Sequence, residues 1–257
     1  MDISNKKLLQ IGNIIGFIAT VIVNFLAIGL PINGLTTQQL SDALPNLFVP
    51  AGITFSIWSV IYILLGIFAF YQAKDIFKSE KEDLPFLNKI GYLFILSSIA
   101  NVTWIFVWHY QLVPISLIVM VILFISLLMI YLRLGIGKQT TSRREKIFIQ
   151  VPISVYFGWI TTATVANTTA FLVSVGWNGF GISEEVWTII VLIVVALIYV
   201  LTVLLRRDTA YGLVGMWSTL GIFLKQVTSV PIVAYTALGV LIVIGLAIGK
   251  IIIIKKK

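Results

Sequence analysis

Polar positions in this chain are sparse and bunched. Between them lie apolar runs such as VLIVVALIYVLTVLL, which do not alternate as a half-buried strand would. Several reach the roughly 20 residues a helix needs to cross a bilayer. The pattern predicts eight spanning helices, at about 8–30, 51–72, 88–109, 113–134, 148–174, 186–205, 209–226 and 230–252. A membrane β-barrel would need alternating segments of about ten residues. The expected fold class is therefore all-α, a polytopic transmembrane helix bundle. The first run follows Lys6 and Lys7 but is too long for a signal-peptide core and lacks a small-x-small cleavage site, so it is read as a helix. The seventh is the weakest span: it is short, contains Gly212, Gly215 and Gly221, and carries Lys225 near its end.

Composition narrows the class further. Of 257 residues, 59% are hydrophobic and 11% charged, against about 25% charged in soluble domains. An ordinary globular protein is excluded. The absence of cysteine excludes disulfides, thiol redox chemistry and thiolate-bound metals. The net charge of +8 does not mark a nucleic-acid partner, because of where the charge falls. With both termini placed in the cytoplasm, the inner segments carry Lys6 and Lys7, then Lys74 to Lys89, then Arg133 to Lys146, then Arg206 and Arg207, then the C-terminal lysines. Of the 18 Lys and Arg, Lys225 alone falls outside. Excess positive charge on the cytoplasmic side sets that orientation.

All ten acids fall in loops or at helix ends. Proton- or cation-coupled transporters usually carry a carboxylate at membrane depth, so that class loses weight. The single histidine, His109, cannot build a metal site without other strong ligands and is expected to be wetted at the interface. What remains inside the membrane is amide and aromatic. Phe55, Trp58 and Tyr62 share one face of the second span; Asn101, Trp104 and Trp108 share one of the third. Tyr156, Trp159, Ala163 and Asn167 line one face of the fifth, and the first span adds Asn13 and Asn24. Amides in lipid must find partners, so these faces are expected to turn inward. Helix rise puts Trp58 about 10–12 Å below the outer surface, and Asn101, Trp104 and Asn167 in the outer half. An uncharged aromatic hollow of this kind suits a large, flat, apolar ligand.

For the deeper rings, Trp58, Trp104 and Trp159, a binding wall and interhelical packing both stand. Trp108, Trp177 and Trp187 lie at helix ends, where an aromatic belt is the simpler use. Helices six and eight read as lipid-facing scaffold. Gly12 with Gly16, and Gly245 with Gly249, form small-xxx-small pairs suited to helix contact, within the bundle or in a homodimer.

Three segments resemble the TspO/MBR family, the translocator and tryptophan-rich sensory proteins. The first is Pro50-Ala51-Gly52-Ile53-Thr54-Phe55-Ser56-Ile57-Trp58 followed by Tyr62, with Val49 where the family has a first proline. The second is Asn101-Val102-Thr103-Trp104. The third is Tyr156-Phe157-Gly158-Trp159 with Ala163 and Asn167, and Val155 in place of a proline. The likeness covers residues 1–175. It implies a five-helix membrane core over 1–175, followed here by a three-helix extension over 176–257, as in a longer subgroup. It also implies a ligand pocket built from Pro50, Phe55, Trp58, Tyr62, Asn101, Trp104, Tyr156, Trp159, Ala163 and Asn167. The implied ligand is a porphyrin or other tetrapyrrole, or a sterol-like molecule, bound without covalent attachment, and the implied location is a prokaryotic plasma membrane.

The leading expectation is an integral membrane ligand-binding protein, a sensor, receptor or carrier with the lipid bilayer and a small apolar or tetrapyrrole molecule as its partners. The alternative is a secondary transporter of a small neutral or apolar solute, which would call for an intramembrane charge or a broken helix. A retinal protein using Lys225 lacks a counter-ion at depth, and snorkelling is the simpler role for that lysine. No acid–base pair or activated nucleophile lies within the membrane, so no enzyme is expected.

Overall fold

The computed structural model describes residues 3–30 and 32–256. Asp2 and Lys257, counted in the charge pattern, lie outside the described residues. Long helices occur at all eight expected places: α1 (Ile3–Gly29), α2 (Ile57–Gln72), α3 (Leu93–His109), α4 (Val113–Arg133), α5 (Val151–Ser174), α6 (Glu184–Arg206), α7 (Thr209–Gln226) and α8 (Pro231–Lys256). No strand occurs among the described residues. The chain is a polytopic helical membrane protein. Six segments are long and apolar enough to cross a bilayer: Ile3–Gly29, Gly52–Gln72, Val113–Arg133, Arg143–Ser174, Glu184–Arg206 and Pro231–Ile254.

The two remaining helices differ from the expected spans for identifiable reasons. The segment expected as one helix over 88–109 is broken at Gly91, whose φ of 54° is left-handed and ends the short helix Pro85–Ile90. That leaves α3 only 17 residues. Helix α7 is continuous but glycine-bearing, and its three glycines serve close packing.

The chain forms two compact units, Met1–Thr37 with Trp58–Phe157, and Gln38–Ile57 with Gly158–Lys257. In the first, α1 packs on α3 and α3 on α4. Gly12 and Gly16 allow the first contact: a Cβ at Gly12 would lie 2.5 Å from Ile95 Cδ1, and one at Gly16 would lie 2.9 Å from Ser98. This glycine pair is thus used within the bundle. Phe68 and Phe94 meet at 4.9 Å in the core, and Tyr71 stacks on Phe148 at 4.9 Å.

Helix α1 also buries a polar stripe, Lys6, Gln10, Asn13, Thr20 and Asn24, at roughly helical spacing. Its lower part forms a cluster with the end of α2. Lys6 pairs with Asp75 and donates to the Glu82 carbonyl at 2.6 Å. Gln10 donates to Asp75 Oδ1 and to the Gln72 carbonyl, both at 2.7 Å, and the Gln72 amide returns a bond to the Gln10 carbonyl at 3.0 Å. Asp75 is fully buried. Burial pushes its carboxyl upward, but the Lys6 ammonium, the Gln10 amide and the Glu82 N–H outweigh this and hold it at about 2.

In the second unit α6, α7 and α8 pack on one another. Gly212 and Gly215 admit α6 closely, since a Cβ at either would lie 2.5 Å from Val203 or Tyr199. Helix α6 buries Thr188, Leu192, Val195, Tyr199 and Val203, while Ile193, Leu197 and Leu201 on its other faces are exposed and suit lipid.

Candidate functional site

Within the first unit, the backbone of α2 brings Trp58 and Tyr62 one turn apart, and their rings stack at 5.6 Å with 20° between planes. The Tyr156 ring meets Trp58 edge-on at 6.2 Å. An amide chain fixes Tyr156 in turn: Asn101 Nδ2 donates to its hydroxyl at 3.0 Å, and Asn24 Nδ2 donates to Asn101 Oδ1 at 2.7 Å. Asn24, Asn101 and Tyr156 are buried, whereas Trp58 and Tyr62 are half-buried. A relay of amides thus orients the Tyr156 ring, which in turn edges two rings that retain exposed surface.

Trp104 stacks on Trp108 at 5.5 Å with 16° between planes. Trp108 is buried rather than placed in an interfacial belt, and its indole N–H donates to the Thr37 carbonyl at 3.4 Å. His109 likewise departs from the wetted role expected of it. It is fully buried, with Nδ1 at 2.9 Å from the Ile32 carbonyl and Nε2 at 3.0 Å from Thr37 Oγ1. The segment after α1 folds over the end of α3 and takes both ring nitrogens out of water. Asn33 adds a bond to the His109 carbonyl at 3.0 Å.

Within the second unit, Phe55 meets the buried Trp159 edge-on at 6.1 Å. Pro50 and Asn167 are buried, and Ala163 is half-buried on the same helix face as Trp159. The segment bearing Pro50 and Phe55 is held by α7. Ala51 N–H donates to the Gly221 carbonyl at 2.9 Å, Trp217 donates to the Thr54 carbonyl at 2.9 Å, and Gln226 to the Leu47 carbonyl at 3.1 Å. Lys225 does not simply snorkel: it pairs with Asp42 at 2.8 Å. Asn46 also ties the segment to α5, accepting from Thr169 Oγ1 at 3.1 Å.

Helix α5 is anchored by hydroxyls. Tyr199 donates to the Gly158 carbonyl at 2.7 Å and lies 2.7 Å from Thr162 Oγ1, which donates to Ser218 at 3.1 Å. Tyr211 donates to Thr161 at 2.9 Å. The sequence pattern does not single out Trp217, Gln226, Tyr199 or Tyr211, and it marks Gly221 only as one glycine of a weak span. The small residues of α7 are their one local signal: Gly212 and Gly215 meet Val203 and Tyr199 of α6, and Gly221 meets Thr54 and Pro50 on another side of the helix.

The rings and amides offer stacking and hydrogen bonding rather than acid–base work. No group of three or more metal-binding side chains occurs among the described residues. No curated protein and no solved structure matches the chain significantly. The family model described as TSPO-like protein matches residues 10–250, from within α1 to near the end of α8, and so includes the three helices beyond the segments that first suggested the likeness. On that match this helical membrane protein belongs to the TSPO-like family.

Proposed function

We propose that this protein binds a flat apolar ligand within the membrane, a tetrapyrrole such as a porphyrin or a sterol-like molecule, and acts as its sensor or carrier without transforming it. One observation carries the reading: the Trp58–Tyr62 stack, edged by a Tyr156 whose hydroxyl is fixed through Asn101 and Asn24. Pre-set rings lose little conformational freedom on binding, and flat π-systems stack on them without needing charge. Phe55 and Trp159 provide a comparable ring pair in the other unit. In this reading residues 1–175 form the binding core and 176–257 its support, with both termini cytoplasmic in a prokaryotic plasma membrane.

The test is porphyrin titration of the purified protein, read as quenching of tryptophan fluorescence and as porphyrin absorbance. Trp58→Phe is expected to weaken binding by about 0.5–1.5 kcal/mol, the scale of one aromatic pair, and Trp159→Phe tests the other ring pair separately. Unaltered affinity in Trp58→Phe would remove that ring from the site. Uptake into proteoliposomes that depended on an ion gradient would point to a secondary transporter instead.

A further inference from the structure

A cavity that the proposed function leaves unused lies wholly within the second unit, with a volume of about 410 Å³. It sits where the end of α5, the start of α6 and the segment around Asn46 converge. Its apolar walls include Phe48, Leu172 and Val191. Trp177 and Trp187 form an aromatic corner, with ring centroids 5.1 Å apart and planes at 58°. Rim residues Val173, Ile182 and Glu184 are exposed, so the space is reachable without rearrangement.

The polar atoms in this wall are mostly spent on the protein itself. Asn46 Oδ1 accepts from Phe48 N–H and Thr169 Oγ1, and its Nδ2 donates to the Leu44 carbonyl. Trp187 Nε1 donates to the Gly179 carbonyl at 2.7 Å, and Thr188 Oγ1 to the Glu184 carbonyl at 2.8 Å. Glu184 is different. Its Oε1 accepts from Leu47 N–H at 3.0 Å, while Oε2 has no protein partner among the described residues. It is also the one ionisable side chain lining the cavity. Asn178 accepts from Phe180 N–H through Oδ1 and leaves its amide N–H to the space, so what the cavity offers a guest is two indole faces, aliphatic wall, one amide and one negative charge.

We infer that this cavity is a second binding site, selective for an organic ammonium ion carrying an apolar or aromatic body. A cation held against indole faces gains from their quadrupole, and Glu184 supplies the opposite charge at the rim. A volume of this size accommodates a small drug-like molecule. An anion meets the same carboxylate without any compensating cation in the wall. The ammonium could belong to a free amine or to an ethanolamine lipid headgroup.

The probe is benzyltrimethylammonium, measured by calorimetry on the full chain in maltoside detergent, with neutral neopentylbenzene and anionic benzylsulfonate as comparisons. The cation is expected to bind, and the anion to bind at least about tenfold more weakly. Glu184→Gln keeps an acceptor for Leu47 N–H and is expected to weaken the cation about fivefold, the scale of an exposed ion pair. Trp177→Leu, which removes one indole without touching the carboxylate, is expected to weaken it about threefold. Neither change is expected to alter porphyrin quenching, and Trp58→Phe is expected to leave cation binding intact. Displacement of the probe by dihexanoyl phosphatidylethanolamine but not by dihexanoyl phosphatidylglycerol would identify the headgroup as the source; no displacement by either would identify a free amine. Absent binding of the cation, equal binding of all three probes, or undiminished affinity in both folded variants would overturn the assignment.

Discussion

Trp217 donates its indole N–H to the main-chain carbonyl of Thr54 at 2.9 Å, joining positions 163 residues apart. Helix α7 thereby holds the segment that presents Pro50 and Phe55, and Gly221 lets it approach closely enough to accept from Ala51 N–H. Trp217→Phe would remove the indole donor from a carbonyl that keeps the Ile57 N–H, a loss of about 0.5–1.5 kcal/mol. Gly221→Ala would drive a methyl into Thr54 Oγ1 and Pro50 Cβ. Both variants are expected to melt at lower temperature, and Gly221→Ala is expected to weaken ligand binding more. Full affinity in Gly221→Ala would detach α7 from the site.

The Lys6–Asp75 pair makes stability depend on acid. Its carboxyl titrates at about 2 in the folded chain, below its ordinary value of 3.8. A depressed carboxylate contributes fully above about 4, and that contribution is lost as pH falls through 2. Thermal melts in detergent from pH 7 to pH 2 are expected to show the midpoint dropping over that interval. Asp75→Asn would leave the Lys6 ammonium without its counter-charge, a change of about 3–5 kcal/mol for a buried pair. It is expected to be destabilised at pH 7 and to show a flatter acid limb.

Asn101 and Tyr156 are expected to act as one unit. Tyr156→Phe removes the acceptor of Asn101 Nδ2, and Asn101→Ala removes the acceptor of Asn24. Each alone is expected to cost about 1–3 kcal/mol. The double variant is expected to cost less than the sum, by about 0.5–3 kcal/mol, as for groups in one network. Additive losses in denaturation midpoints would mean that the amide relay does not fix the ring.

His109 is expected to pin the segment after α1. His109→Ala leaves the Ile32 carbonyl and Thr37 hydroxyl without their ring partners. Hydrogen exchange at residues 32–37 is expected to quicken, while exchange in α4 stays slow. Unchanged exchange at 32–37 would show that Asn33 and Trp108 suffice to hold it.

The helices were legible because lipid imposes a length and an apolar composition on each of them, and neither requires knowledge of a partner. The ring faces were legible for a related reason: Trp58 and Tyr62, or Asn101 and Trp104, are set by spacing within one helix. Contacts between distant positions left no such mark. Nothing local to Trp217 points to Thr54, and nothing around Asp75 announces a lysine 69 positions upstream. His109 and Trp108 read as interfacial groups from sequence because a helix end looks wet until the covering segment is placed. Gly91 gives no sign of the break, because one glycine in an apolar run is compatible with either a continuous helix or an interruption.

The polar stripe of α1 sets an order of events during synthesis. The chain leaves the ribosome from its N-terminus, so Lys6, Gln10 and Asn13 emerge well before Gln72 and Asp75 exist to receive them. Until then the start of the first helix is better served by headgroups and water than by hydrocarbon. The contacts of Lys6, Gln10 and Asn13 with Gln72 and Asp75 therefore make these two helices a pair in assembly.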